Sequence, residues 1–555
     1  NYNTVVGDEA GTAITTGDYS TFVGYAAGDA TTTGLDNTAL GALALTSNTV
    51  GAYNVAIGQS ALHNNVDGSN SVAIGRLALY AQDPASAVDM YNTAVGHGAG
   101  AAVTTGTQNT LIGGLAGDAI TTGANNVAVG ISALTANTTG SQNTAVGSGA
   151  LLTNTTGAQN IASGLNAMYF NTSGDFNTAY GVAALQANTT ADNNTAVGHS
   201  ALVANTTGAQ NTAVGGRSQE ATTTGADNTS IGWGSLILNT TGASNTALGR
   251  SSLAANTSAS NNTTAGANSM QANTTGASNA AFGKGALASN TTASNNTAVG
   301  FESLVSNTTG VNNTAVGFEA GKAVTTGPSN TFMGSFSGNI VTTGTVNSGF
   351  GYASLSGMTG AASTNTGLGY AAGSSITSGS NNIAIGAQAL NTGRPGGQIT
   401  TQSNQIGMGT GDHTHAYIQI DWTISSDARD KTDFTPLDLG LDFVNALAPM
   451  TYRWDKRFKY GDITADDYDL SAQTPDGTHK EDWLDIGFKA QEVEALEQAA
   501  GYNKNNSTNL VSDCSDDGKQ MGLQYSKFVP ILVKAIQEQN ALIEALTDRI
   551  AALEG

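Results

Sequence analysis

Cysteine is almost absent from this 555-residue chain: Cys514 stands alone, so no intrachain disulfide can form and a disulfide-stapled scaffold is excluded. A single thiol also leaves the redox compartment unread. Charge is scarce over residues 1–420, with 6 basic and 16 acidic side chains, whereas the last 135 residues hold 13 and 25. The net charge of -22 leaves no basic face to neutralise phosphates, which argues against nucleic acid as a partner and serves solubility. No apolar run approaches the roughly 18 residues of a membrane-spanning helix, so no membrane insertion is expected. Gly-rich phosphate loops, nucleophile elbows and carboxylate clusters at metal spacing are likewise missing, and no cofactor is expected. The one hint of a metal is His413-Thr414-His415, since H-x-H on a three-fold axis would present several imidazoles. An extended surface strand accounts for that pair equally well.

What the chain has instead is repetition. The pentapeptide N-T-A-V-G, at Asn194–Gly198 and again at Asn211–Gly215, recurs every 17 residues. Its closing glycine falls at Gly7, Gly24, Gly41, Gly58 and Gly75, resumes at Gly96 after a step of 21, and runs on to Gly351, Gly369 and Gly386. These 23 copies indicate a solenoid in which each repeat is one coil. A helical coil is excluded, because glycine at this density costs a helix roughly 1 kcal/mol per residue. The second and fourth positions of the pentapeptide carry Thr195 and Val197, or Val55 and Ile57, the pattern of a strand facing a core. The third is nearly always alanine (Ala145, Ala196, Ala298), and this column is expected to face outward against another copy of the chain. Ala201 and Leu202 read as a second short strand, and N-T-T-G as a corner. The recurrent Asn143, Asn177, Asn194 and Asn211 are expected to stack into an amide ladder. The many N-x-T triplets read as corners rather than glycosylation acceptors, because the repeat explains each of them. Residue 1 opens inside a repeat, so the chain reads as a fragment or a processed form, from whose front a signal peptide or attachment module could have been lost.

Ser71–Gly75 (S-V-A-I-G), Asn54–Gly58 and Asn382–Gly386 resemble the repeats of trimeric autotransporter adhesin heads. That resemblance covers about 1–390 and implies a left-handed parallel β-roll with three chains side by side. The repeat here is slightly longer, which implies a longer corner.

A different kind of chain begins near residue 421, after a transition segment at 391–420. It holds three of the four tryptophans, Trp422, Trp454 and Trp483. Its order of motifs is S-D-x-R-x-K at Ser426–Lys431, P-x-x-Y-x-W at Pro449–Trp454, I-G-F-x-A-Q-E-V at Ile486–Val493, Y-x-K at Tyr525–Lys527, then a helix over 527–554. This resembles the intramolecular chaperone domain that ends phage tailspikes and tail fibres, of the endosialidase type. The resemblance implies a small α+β domain that trimerises, templates folding of the fibre before it and cuts itself off. It implies Ser426 as nucleophile, Lys431 as base and Ser426–Asp427 as the scissile bond. A lysine serves as base once desolvation depresses its pKa. A serine attacking its own carbonyl must close a four-membered ring, so attack on the preceding carbonyl or on a neighbouring chain is less strained. Asp430 stands where the family commonly has leucine, and its charge would hold Lys431 protonated. Two alternatives stand: a working dyad, or a Ser/Lys pair that merely shares a surface loop. At most, single-turnover self-cleavage is expected.

The final helix carries a heptad, with Ile536, Ile543 and Ile550 at one seam position and Gln539, Leu546 and Leu553 at the other. Isoleucine and leucine in that order favour a two-stranded coiled coil by themselves; the homotrimer comes from the resemblance. The chain thus reads as an extracellular fibre, a virion tail fibre or a bacterial cell-surface adhesin, that binds a receptor or surface glycan. The alternative is a tailspike-like enzyme that degrades surface glycans on a β-solenoid.

Overall fold

The computed structural model describes residues 2–391, 398–409, 413, 424–461, 468–503, 508–514 and 518–555. It divides into two units, Asn1–Ser329 and Asn330–Gly555. The repeats fold as a parallel β-solenoid with 24 strands of three residues each.

In the first unit each strand pairs in parallel with the next, one period on: Thr195 with Thr212, Ala196 with Ala213, Val197 with Val214. The step of 21 leaves this register intact, since Val72 still pairs with Thr93 and Ala73 with Ala94. The closing glycine is obligatory for two reasons. Gly198 sits at φ +135°, and a Cβ there would lie 2.6 Å from the carbonyl of Gly215 stacked on it.

The faces of the strand are the reverse of the expectation from sequence. Ala145, Ala196 and Ala298 are fully buried inside their own chain, and the first two belong to a continuous core with Ala201, Leu202 and their counterparts. The flanking positions, such as Thr144 and Val146, point outward. A three-residue strand sends only its central side chain inward, and the coil is thin enough that alanine plus the facing leucine fills it. The second wall is also not a strand. Ser200 and Leu202 adopt left-handed φ of +54° and +51°, which breaks the pleat. Its backbone is nonetheless satisfied between coils, because Ser200 N–H donates to the Val182 carbonyl and Leu202 N–H to that of Ser218, both at 3.0 Å.

The amide ladder is present and buried. Asn194 N–H donates to Asn177 Oδ1 at 2.9 Å, Asn211 N–H to Asn194 Oδ1 at 2.9 Å, and Asn211 Nδ2 to the Gly225 carbonyl at 2.8 Å. A second ladder runs through the N-T-T-G corners: Asn154 Nδ2 donates to Asn137 Oδ1 at 2.9 Å, and Asn171 Nδ2 to Asn154 Oδ1 at 2.7 Å. The corner asparagines Asn137 and Asn154 begin N-x-T triplets and are buried, whereas Asn193, Asn261, Asn295 and Asn312 begin N-N-T triplets outside the corners and are exposed. Where Ser71 interrupts the first ladder, Gln82 reaches across from the second, donating to Ser71 Oγ at 3.1 Å and accepting from Asn92 Nδ2 at 2.9 Å.

In the second unit the solenoid strands run from Thr331–Met333 to Ile406–Met408. The last of these pairs with Ile383–Ile385 across a longer step and lies inside the segment read as a transition. The remainder is a small α+β domain. Helix α1 (Leu441–Ala446) precedes a strand, Met450–Tyr452, that pairs antiparallel with Asp485–Gly487. Helix α2 (Ala490–Ala499) follows, then a hairpin of Ser512–Cys514 with Met521–Leu523, and finally helix α3 (Phe528–Glu554). Leu439, Phe443, Val493, Val511, Phe528 and Ile531 form its core. Among the described residues no helix is long and apolar enough to cross a membrane.

Candidate self-cleavage site

The S-D-x-R-x-K motif folds as a single tight turn. Asp427 caps a 3-10 turn, Ala428–Asp430, by accepting the Arg429 N–H at 2.9 Å. The Arg429 guanidinium closes on the same carboxylate at 2.6 Å. This contact holds the Asp427 carboxyl below its ordinary range and raises Arg429 in return. The turn ends when Lys431 N–H donates to the Ala428 carbonyl at 3.3 Å. One consequence follows directly: the Lys431 ammonium doubles back and donates to Ser426 Oγ at 2.5 Å. Ser426 and Lys431, five residues apart, meet because the turn between them is closed by Asp427 and Arg429. Ser426, Asp427 and Lys431 are all exposed in the single chain.

His413 is exposed, and His415 lies outside the described residues. Among the described residues no cluster of three or more His, Cys, Asp or Glu is gathered as a metal would need.

Two carboxylates that hold this domain together were not singled out from sequence. Glu497 is buried and accepts the N–H groups of Leu510 at 2.9 Å, Val511 at 2.5 Å and Ser512 at 2.9 Å, as well as the Ser512 hydroxyl. The signal was available, since Glu497 follows buried Val493 by four residues on the inward face of α2. Glu538 of α3 accepts the Leu441 N–H at 2.7 Å at the start of α1. A Cβ at Gly440 would lie 2.1 Å from that carboxylate, so a side chain there would displace it.

Helix α3 buries Phe528, Ile531 and Ala535 and then leaves its heptad seam bare: Ile536, Ile543, Leu546, Ile550 and Leu553 are all more than half exposed. A second apolar surface, an open groove of about 590 Å³, is lined by Pro449, Met450, Ile486, Phe488 and Tyr525.

Residues 426–502 match the family described as chaperone of endosialidase, and the match begins at Ser426 itself. No curated protein and no solved structure matches the chain.

Proposed function

We propose that the chain is one third of an extracellular homotrimeric fibre, a virion tail fibre or bacterial surface adhesin. Its carboxy-terminal module aligns the three chains and then cuts itself away through Ser426 and Lys431. The observation that carries this reading is an apolar surface that continues along a molecule whose own core is already filled. The outward fourth position of the pentapeptide holds Leu40, Ile74, Ile112, Ile231, Leu248 and Phe282, all between 37% and 48% exposed. Apolar area left in water forfeits about 25 cal/mol per Å², and a column of one such side chain per coil adds up over a solenoid. The bare seam of α3 repeats the theme in the module itself. A second and third copy of the same chain cover both, which agrees with the trimer assembly implied by the chaperone match.

Receptor contact falls to the edge beside that face. The position after the closing glycine collects Trp233 with the Arg250 guanidinium 5.9 Å over its ring, and Lys284 at 5.7 Å from Phe301, itself stacked on Phe318. Aromatic rings edged by cations suit a glycan bearing carboxylates.

Cleavage needs Lys431 neutral, so the exposed dyad of the single chain becomes competent when neighbouring copies exclude water from it. Ser426 Oγ then loses its proton to Lys431 and adds to a backbone carbonyl. The C–N bond breaks with that proton delivered to the leaving nitrogen, and water hydrolyses the resulting ester. A partner chain's Ser426–Asp427 carbonyl avoids the strained ring that attack on the serine's own carbonyl would close.

Sedimentation and mass spectrometry of the purified protein test the proposal together. The expected result is a trimer whose chains end at Ser426, while Ser426→Ala trimerises as intact chains of 55.7 kDa. A monomer removes the fibre reading; an intact wild-type trimer removes the protease and leaves the chaperone.

A further inference from the structure

The solenoid interior is not uniform, and its exceptions come in pairs. The central side chain of each strand packs against the residue four places after the closing glycine, in its own coil and in the one before. Within Asn1–Ser329 that wall residue is usually leucine or methionine, as at Leu45, Leu134 and Met168, and the strand centre is alanine, serine or threonine. Beyond Val5 in the first coil, only Phe22 and Leu111 are bulky strand centres there, and both are fully buried. Each has glycine in both wall positions. A Cβ would approach the Phe22 ring to 3.1 Å from Gly11 and 2.8 Å from Gly28. It would approach Leu111 to 2.7 Å from Gly100 and 2.8 Å from Gly117. The second unit repeats the device, since a Cβ on Gly338 would lie 2.3 Å from the ring of Phe332.

Backbone conformation does not explain these glycines. Gly28 and Gly117 have φ of +58° and +57°, but Leu45 and Leu62, at the same place in other coils, adopt +54° and +51°. The fold therefore accepts leucine at this dihedral, and glycine is present for room. The corner asparagine changes with it, to Val103 and Ile120, which are buried and fill space beside Gly100 and Gly117.

We infer that each such pair of coils is a size-keyed lock that fixes the order in which coils stack. Alanine facing leucine is nearly the same contact in every ordinary coil. A folding chain can then stack one coil on the next but one, with a coil looped out, at little local cost. At a lock that slip is penalised immediately, because Phe22 or Leu111 meets a leucine it cannot accommodate, or a glycine faces an alanine across a void. The locks divide a monotonous sequence into segments that cannot be shuffled.

Deleting one whole period from the full chain tests this. Deletion of 182–198 joins Gly181 to His199 within an ordinary run, whereas deletion of 97–113 joins Gly96 to Gly114 and strands Gly117 without Leu111. The ordinary deletion is expected to resist thermolysin within about twofold of wild type, and the lock deletion to be cut at least about tenfold faster. Adding Gly117→Leu and Ile120→Asn to the lock deletion makes that coil ordinary and is expected to restore resistance to within about twofold of the control. The inference fails if both deletions are equally resistant, or if the added pair restores nothing. Should the lock deletion not accumulate at all, recovery of folded protein by the added pair supports the lock, and its failure refutes it.

Discussion

Asn177→Ala should open the solenoid locally, and the size of the effect follows from its contacts. The Asn177 side chain accepts the Asn194 N–H at 2.9 Å and donates to the Ala191 carbonyl at 2.8 Å. Both partners belong to the next turn of the ladder, and the side chain between them is fully buried. Alanine leaves the Asn194 N–H without a partner in a place water does not reach, whereas the Ala191 carbonyl keeps the Asn188 amide at 3.1 Å. One such orphan costs about 2 kcal/mol. Coil stability in a solenoid is close to a sum over nearest neighbours, so the loss stays near residues 177–194 instead of spreading along the chain. Hydrogen exchange reads it directly: the Asn194 amide should exchange about 30-fold faster in the variant, since about 2 kcal/mol of local opening energy is removed. Thr190→Ala, a change at an exposed position in the same coil, should stay within about 0.5 kcal/mol of wild type. Ser71 and Gln82 show the same logic in the native chain, where an interrupted ladder is completed by the longer amide of its neighbour. An Asn194 amide that exchanges within about threefold of wild type would refute the claim that the ladder bonds hold the coil.

Glu497→Ala removes the acceptor for three backbone N–H groups in the end module and should destabilise it by about 3 kcal/mol or more, seen as loss of trimer in sedimentation. Ile543→Asp and Leu546→Asp each place a charge on the bare seam of α3 and should lower the assembled fraction without reducing the helicity of the solenoid-bearing chain by more than α3 itself contributes. Asp469 is held down to about 2 by the Ser471 hydroxyl, the Ser471 N–H and Lys519. A depressed carboxylate stabilises the fold fully above its ordinary value near 3.8, and that contribution is lost as pH falls towards about 2. Acid unfolding of Asp469→Asn should therefore be flatter than wild type between those values, and identical acid limbs would count against the contact.

The period of 17 was sufficient for the solenoid, because only stacked equivalent coils explain a glycine that recurs with such regularity. It was sufficient for the asparagine ladder too, since an amide repeated at one position of every coil meets its own copies when the coils stack. The order of motifs in the last 135 residues likewise announced the end module, and the five-residue gap between Ser426 and Lys431 lies within reach of one turn.

Which way the strand faces was decided only in three dimensions. With three residues per strand, alternation offers one inward side chain and two outward ones, too short a window for hydrophobic pattern to separate core from surface. Thr195 and Val197 look like core residues in sequence because an outward strand still favours β-branched side chains. Ala196 looks like a contact residue, yet the tightness of the coil makes it the core. The same holds for Glu497, whose charge reads as solvated until the fold brings the N–H groups of Leu510, Val511 and Ser512 to it. Periodicity along the chain determines what stacks on what. The width of one coil, set by how Ala196 and Leu202 meet across it, determines what is inside.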